Sequence, residues 1–181
     1  MQAPAMDRGN FEKLTITDQL QVVDEAVGGE PAVLIGSSLG GYVGALYAAR
    51  NAQVQRLVLL APAFNFHDLW MSSMEPEKLR LWREKGALPV FHYGEGREVP
   101  IGYQLIDDAA KYEPWPNVRQ PALLFHGTDD ASVPVEYSSA FVRDHPNARL
   151  IRMTSGHELT DVLDQIWDGA KLFLLDGETQ K

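Results

Sequence analysis

Four short strand-like runs, Ala32-Val33-Leu34-Ile35, Leu57-Val58-Leu59-Leu60, Ala122 to Phe125 and Arg149 to Met153, alternate with stretches whose apolar residues recur at helical spacing. A short continuous apolar run suits a strand buried on both faces. Strands that alternate with helices form a parallel sheet covered by those helices. The helical stretches are equally legible. Ile16, Leu20, Val23 and Val27 keep one face until Gly28-Gly29 ends it. Leu39 to Arg50 is rich in small residues that let a helix lie close on a sheet. Pro134 suits a first helical turn, with Tyr137 and Phe141 on one face and Pro146 after the end. Leu159, Val162, Leu163, Ile166, Trp167, Ala170, Phe173 and Leu174 make a long apolar face. The expected fold class is α/β, a mostly parallel sheet flanked by helices.

The chain has 181 residues, which predicts one domain over 1–181. Residues 64–117 break the alternation. They hold three of the four tryptophans and several prolines, and read as an insertion or lid. Within it Glu77 to Lys85 and Tyr103 to Lys111 look helical, and Val90 to Ile101 reads as a hairpin around Gly94-Glu95-Gly96. Sixteen basic against twenty-five acidic residues, a net charge of -9, disfavour nucleic acid as a partner, because phosphate contact needs clustered Lys and Arg. With no cysteine there is no disulfide and no thiol nucleophile. Asp7, Arg8, Glu12 and Lys13 interrupt any export signal, and no run approaches the ~20 apolar residues of a membrane helix. A soluble, cytoplasmic protein with no membrane partner is expected.

The most informative segment is Gly36-Ser37-Ser38-Leu39-Gly40-Gly41, between a buried strand and a helix. This is the G-x-S-x-G pattern in its required context. A sharp strand-to-helix turn exposes the central hydroxyl, and residues two before and two after it must be small. Gly36 and Gly40 hold those places, making Ser38 the nucleophile and Ser37 a spacer. The N–H of Leu39, at the helix start, can face a developing oxyanion. Three other readings compete. A phosphate loop needs Lys and Ser/Thr where Tyr42 and Val43 stand. A dinucleotide fingerprint needs glycine where Ser38 stands. A glycine-rich turn with incidental serines needs nothing.

His126-Gly127-Thr128-Asp129-Asp130 follows the third strand and Ser155-Gly156-His157 the fourth. A serine hydroxyl becomes a good nucleophile when an imidazole takes its proton, and the imidazole needs a carboxylate to fix its tautomer. Serine, acid and histidine here each follow a strand's C-terminal end, and in an open parallel sheet those ends line one crevice.

These three motifs, in this order, resemble those of the α/β-hydrolases, especially the small bacterial esterase-like members. The hairpin-like stretch from Gly86 to Tyr112 is similar to the branch containing the mitochondrial acyl-protein thioesterase and acyl-glucuronide esterase. The resemblance spans roughly residues 11–175. It implies Ser38 as nucleophile, Asp130 as acid in preference to Asp129, and His157 as base. The implied activity is hydrolysis of a small-molecule carboxylic ester or thioester without a cofactor. A non-catalytic binding or scaffold protein on the same fold, or an amide or carbon–carbon hydrolase with the same triad, are the alternatives. His126 matches a recurrent histidine that stabilises the turn. A metal site from His126, Asp129 and His157 has no supporting motif, so no metal is expected. His67, His92 and His145 read as surface residues. Phe66, Trp70 and Trp82, with Met71 and Phe91, line an acyl pocket or form the lid's own core.

The family's sheet normally has more strands before the serine, one leading into a loop that gives a second oxyanion N–H. Nothing before Ala32 reads as that strand, so the chain is expected to be short at its N-terminus by a unit of about 30 residues or more. That would leave the serine strand at a sheet edge. A bare apolar edge pairs with another chain or aggregates, so a homodimer through this edge or reduced stability is expected.

Overall fold

The structure, a computed structural model, describes residues 2–92 and 96–175, and these form two compact units. One joins Gly29–Phe64 to Trp115–Lys181, and the other joins Met1–Gly28 to Asn65–Pro114.

The first unit is the alternating one. Strand β1 (Ala32–Ser37) leads into a helix over Leu39–Arg50, and β2 (Val54–Leu60) follows. After the sequence of the second unit comes a strand over Ala122–Gly127, then a helix over Val135–Asp144, a strand over Ala148–Met153 and a final helix over Leu163–Leu175. These four strands pair in parallel in the order 32–37, 54–60, 122–127, 148–153. All four C-terminal ends therefore lie along one rim.

The Leu39–Arg50 helix is buried over Gly41–Ala48, which its small residues permit. Strand residues alternate between faces. Val58, Leu123, Phe125 and Met153 form one face of the core with Ile166, Ala170 and Phe173 of the last helix. Gly169 brings that helix down on Phe125: an added Cβ would sit 3.0 Å from the ring. On the opposite face Leu59, Leu124 and His126 are fully buried.

Three sequence expectations need correction here. Burial on both faces holds for residues 122–127 but not for β1, whose exposure alternates. Val33 and Ile35 are 43% and 53% exposed. The reason is position: among the described residues β1 pairs with β2 alone and is a sheet edge. The last apolar face is also narrower than its periodicity implies. Leu159 takes φ 55° outside the helix, Val162 sits in a 3-10 turn over Thr160–Val162, and Leu163 and Trp167 are exposed. Pro134 caps its helix from outside the first turn.

The second unit contains α1 (Ile16–Val27), capped by the Thr15 hydroxyl, which accepts from the Asp18 N–H, and closed by Gly28 at φ 60°. Next come α2 (the helix Leu39–Arg50 in the other unit), then α3 (Phe66–Ser73) and α4 (Pro76–Lys85) in this one. An antiparallel hairpin follows, β3 (Ala87–His92) with β4 (Arg97–Gly102), and then α5 (Gln104–Ala109). Gly94 and Glu95 of the expected turn lie outside the described residues. With this order the remaining elements become β5 (Ala122–Gly127), α6 (Val135–Asp144), β6 (Ala148–Met153) and α7 (Leu163–Leu175).

Trp82 is fully buried and its indole N–H donates to the Ile101 carbonyl at 2.9 Å. Asp108 fixes α5 to α1: its carboxylate accepts from the Thr17 N–H at 2.7 Å, the Thr17 hydroxyl at 2.9 Å and Lys111 at 2.9 Å. Burial pushes the Asp108 carboxyl up, but these donors outweigh it and hold it below the usual range. Among the described residues no helix is long and apolar enough to cross a membrane.

Candidate active site

The site grows from the turn between β1 and α2. Ser38 has φ 51° and ψ −121°, a conformation that costs an L-residue roughly 1–3 kcal/mol. Its backbone is held at both ends. The Ser38 N–H donates to the Leu60 carbonyl at 2.8 Å, and its own carbonyl accepts from Gly41 and Ala63 at 3.0 Å each. Gly36 is obligatory, since a Cβ there would lie 2.5 Å from the Gly40 carbonyl oxygen. The other crowded glycine is Gly41, whose added Cβ would meet the Gly36 carbonyl oxygen and the Pro62 Cβ at 3.1 Å, so that these neighbours would have to give way. A Cβ on Gly40 would meet nothing within 4 Å. The steric reading of the motif is thus corrected by one position: Gly40 contributes its backbone, and Gly41 the missing side chain. Leu39 opens α2, where first-turn N–H groups have no intrahelical acceptor.

The acid comes from the loop after β5. The Asp130 side chain is fully buried. Its Oδ1 accepts the N–H groups of Ser132 and Val133 at 2.8 Å each. Its Oδ2 lies 2.7 Å from His157 Nδ1 and 3.2 Å from His126 Nε2. Burial raises the carboxyl's pKa, but the His126, His157 and backbone donors reverse this, so the group is held well below the ordinary carboxylate range. Asp129, its rival, is exposed, and its N–H donates to the Ser155 carbonyl at 3.1 Å.

The imidazole comes from the loop after β6. That loop lies against the end of β5 because Gly127 has no side chain. A Cβ on Gly127 would collide with the carbonyl oxygens of Ser155 and Gly156. The Ser155 hydroxyl is tied to Asp161 and closes the turn. His157 thereby reaches both partners, with Nε2 3.0 Å from Ser38 Oγ and Nδ1 2.7 Å from Asp130 Oδ2. A carboxylate only accepts, so Nδ1 carries the proton, and the bare Nε2 of the neutral ring accepts from the Ser38 hydroxyl. The hydrogen bond to Asp130 raises the His157 pKa; burial opposes this, and the charges of Asp130 and Glu158 add to the rise. Such an arrangement can take a hydroxyl proton and stabilise the imidazolium that results.

The structure therefore brings Ser38, Asp130 and His157 together. The sequence reading did not foresee the Ser132 and Val133 donors. An Asp in a loop, whose side chain can accept from the backbone N–H two residues on, is a known turn signal, and it is present here. Phe66, Trp70 and Trp82 belong to the other unit, where their rings meet in series at tilted angles, with centroids 5.6 and 5.4 Å apart. Phe66 and Trp82 are 3% and 0% exposed. Trp70 is partly exposed. His145, expected at the surface, is buried, stacks on Phe141 at 4.0 Å and bonds its carbonyl through Nδ1. His67 pairs with Asp68 at 2.9 Å. Among the described residues no group of three His, Asp or Glu is arranged to hold a metal.

A family model described as "Uncharacterised protein family (UPF0227)" matches residues 1–174. No curated protein sequence matches the chain. Among solved structures, a putative hydrolase from Agrobacterium vitis S4 superposes with a TM-score of 0.77 at 21% identity, covering 91% of this chain and 70% of that one. The mouse alpha/beta hydrolase domain-containing protein 10 does so with a TM-score of 0.73 at 25% identity, covering 91% and 72%. Est1E from Butyrivibrio proteoclasticus, with ferulic acid bound, gives 0.76 at 21% identity, covering 93% and 71%. The fold is that of the α/β-hydrolases.

Proposed function

We propose that this chain, which belongs to the uncharacterised protein family UPF0227, is a serine hydrolase that cleaves carboxylic esters or thioesters. One observation carries the reading: a single imidazole lies 3.0 Å from a strained, turn-borne serine hydroxyl and 2.7 Å from a buried carboxylate. A binding protein has no need of that alignment. Support also comes from the structural neighbours, which include Est1E from Butyrivibrio proteoclasticus with ferulic acid bound and an esterase domain from Rhodothermus marinus.

In this mechanism Ser38 Oγ attacks the acyl carbonyl carbon while its proton passes to His157 Nε2. Negative charge collects on the former carbonyl oxygen, and the Leu39 N–H donates to it. Collapse breaks the bond to the leaving oxygen or sulfur, which takes the proton from His157. The acyl group is then an ester of Ser38. Water attacks it, again giving a proton to His157, and the acid leaves as Ser38 recovers its proton. Asp130 holds the ring in the right tautomer and offsets its charge throughout.

A fluorophosphonate probe tests the reading. It should label the wild type once, on Ser38, and fail to label Ser38→Ala. A folded wild-type protein that takes no label overturns the proposal in favour of a non-catalytic role. A panel of p-nitrophenyl esters, acyl thioesters and anilides then separates ester, thioester and amide cleavage.

A further inference from the structure

The carboxylate at the centre of the site has two imidazoles on the same oxygen, and the mechanism uses only one. His126, the last-but-one residue of β5, is fully buried. Its Nδ1 lies 2.7 Å from the Ser138 hydroxyl of α6, and Ser138 is itself fully buried. Its Nε2 lies 2.9 Å from the Val133 carbonyl and 3.2 Å from Asp130 Oδ2. A carbonyl and a carboxylate both only accept, so Nε2 carries a proton, which it donates to the Val133 carbonyl while Asp130 Oδ2 lies 3.2 Å from the same nitrogen. The ring cannot turn over without breaking the Ser138 contact and presenting carbon to both oxygens. Val133 is bound twice over: its N–H donates to Asp130 and its carbonyl accepts from His126. The loop 127–134 is therefore folded around the carboxylate and latched to the ring.

From this geometry, and resting on the hydrolase reading above, we infer that His126 is a positioning residue. Its Nε2–H, oriented by the Ser138 hydroxyl, holds Asp130 Oδ2 in line with His157 Nδ1. This goes beyond a turn-stabilising role, because it requires a donor at one ring position rather than a filler of the right shape. The groups facing Asp130 are His126 and His157, and those raising His157 are Asp130 and Glu158.

The requirement can be tested with two amides of different reach. A Gln side-chain nitrogen falls near the Nε2 position of a histidine, and an Asn nitrogen near Nδ1. Both put a neutral amide in the same buried place. His126→Gln should keep kcat/KM on a p-nitrophenyl ester within about threefold of wild type. His126→Asn should lower it about tenfold through kcat, with KM little changed, since a misaligned base slows proton transfer and not binding. The acid limb of the His126→Asn pH profile should also fall towards the ordinary histidine value, as the bond that raises His157 loosens. Equal effects from both amides, or an unmoved limb in His126→Asn, overturn the inference.

Titrating His157 by NMR in the same variants reads its pKa without any turnover. A wild type that hydrolyses nothing, yet shows a raised His157 that drops in His126→Asn and is kept in His126→Gln, would sink the hydrolase reading and leave the positioning role intact. If His126→Asn does not fold, Ser138→Ala asks the same question from the far side of the ring. It should lower kcat/KM about threefold with the limb moving the same way, and an unchanged limb overturns the inference.

Discussion

The end of β5 and the loop after β6 meet backbone to backbone, Gly127 lying directly under the Ser155 carbonyl, with the Gly156 carbonyl 2.5 Å from where a Cβ on Gly127 would be. Only Thr128 and Asp129 separate Gly127 from Asp130, and only Gly156 separates Ser155 from His157. This contact therefore sets the distance between the carboxylate and the imidazole.

Gly127→Ala must push the two loops apart, because the colliding atoms are backbone carbonyls that cannot swing away. Overpacking of this kind costs about 1–3 kcal/mol. The functional loss should be larger in proportion, since a 1 Å displacement of a catalytic group costs on the order of 100-fold. A thermal melt and the rate of fluorophosphonate labelling measured together check both halves. A variant that labels at the wild-type rate counts against the contact's role.

Ser38 occupies a backbone region that glycine tolerates and alanine does not. Ser38→Ala and Ser38→Gly should both be inert to the probe. They should differ in stability, the glycine variant exceeding the alanine variant by about 1 kcal/mol in urea unfolding as the strain is relieved. Equal stabilities would show that the turn carries no such strain.

His157 must be neutral to act as a base, and its hydrogen bond to Asp130 raises its pKa above 6.5. The acid limb of kcat/KM should accordingly have its midpoint above 6.5, with activity rising as pH rises through it. The linked stability runs the other way. A raised pKa adds stability that is complete below 6.5 and is lost as pH rises through the folded value. Asp130, held low, adds stability that is present above 3.8 and is lost as pH falls through its folded value. Asp130→Asn should cut kcat by about 10³–10⁴, because an amide favours the wrong imidazole tautomer. Its acid limb should fall back towards 6.5. A limb that stays put would mean that Asp130 does not govern His157.

In the other unit, Asp108→Ala takes the acceptor away from the Thr17 N–H and from Lys111, while the Thr17 hydroxyl keeps its contact with the Tyr112 hydroxyl at 2.7 Å. The expected cost is about 1–3 kcal/mol. Asp108→Asn keeps one acceptor oxygen and should cost less. Thermal midpoints of the two variants, compared with wild type, test the ranking, and an Asn variant as damaged as the Ala variant would refute it.

Much of this was legible along the chain. The strand at 122–127, the helix at 39–50 and the motif at 36–41 are governed by neighbours in sequence: apolar runs, small residues, and glycines beside a strained serine. The departures share one physical cause. The exposure of Val33 and Ile35 goes with β1 lying at a sheet edge among the described residues, a position the sequence reading expected while still taking the strand as buried on both faces. The exposure of Trp167 follows from how α7 rolls on the sheet, and apolar periodicity cannot say which part of a stripe meets the core. The burial of His145 depends on Phe141 offering both a ring and a carbonyl.

The sequence by itself determined the fold class and the serine, acid and histidine that could act together, because local sterics and chain order write those directly into residue types. Only the tertiary structure decided that Gly41 rather than Gly40 is the crowded glycine, how closely Asp130 and His157 approach, and that His126 faces the same carboxylate oxygen. Each of these depends on the distance between atoms far apart in the chain, and that distance is set by packing.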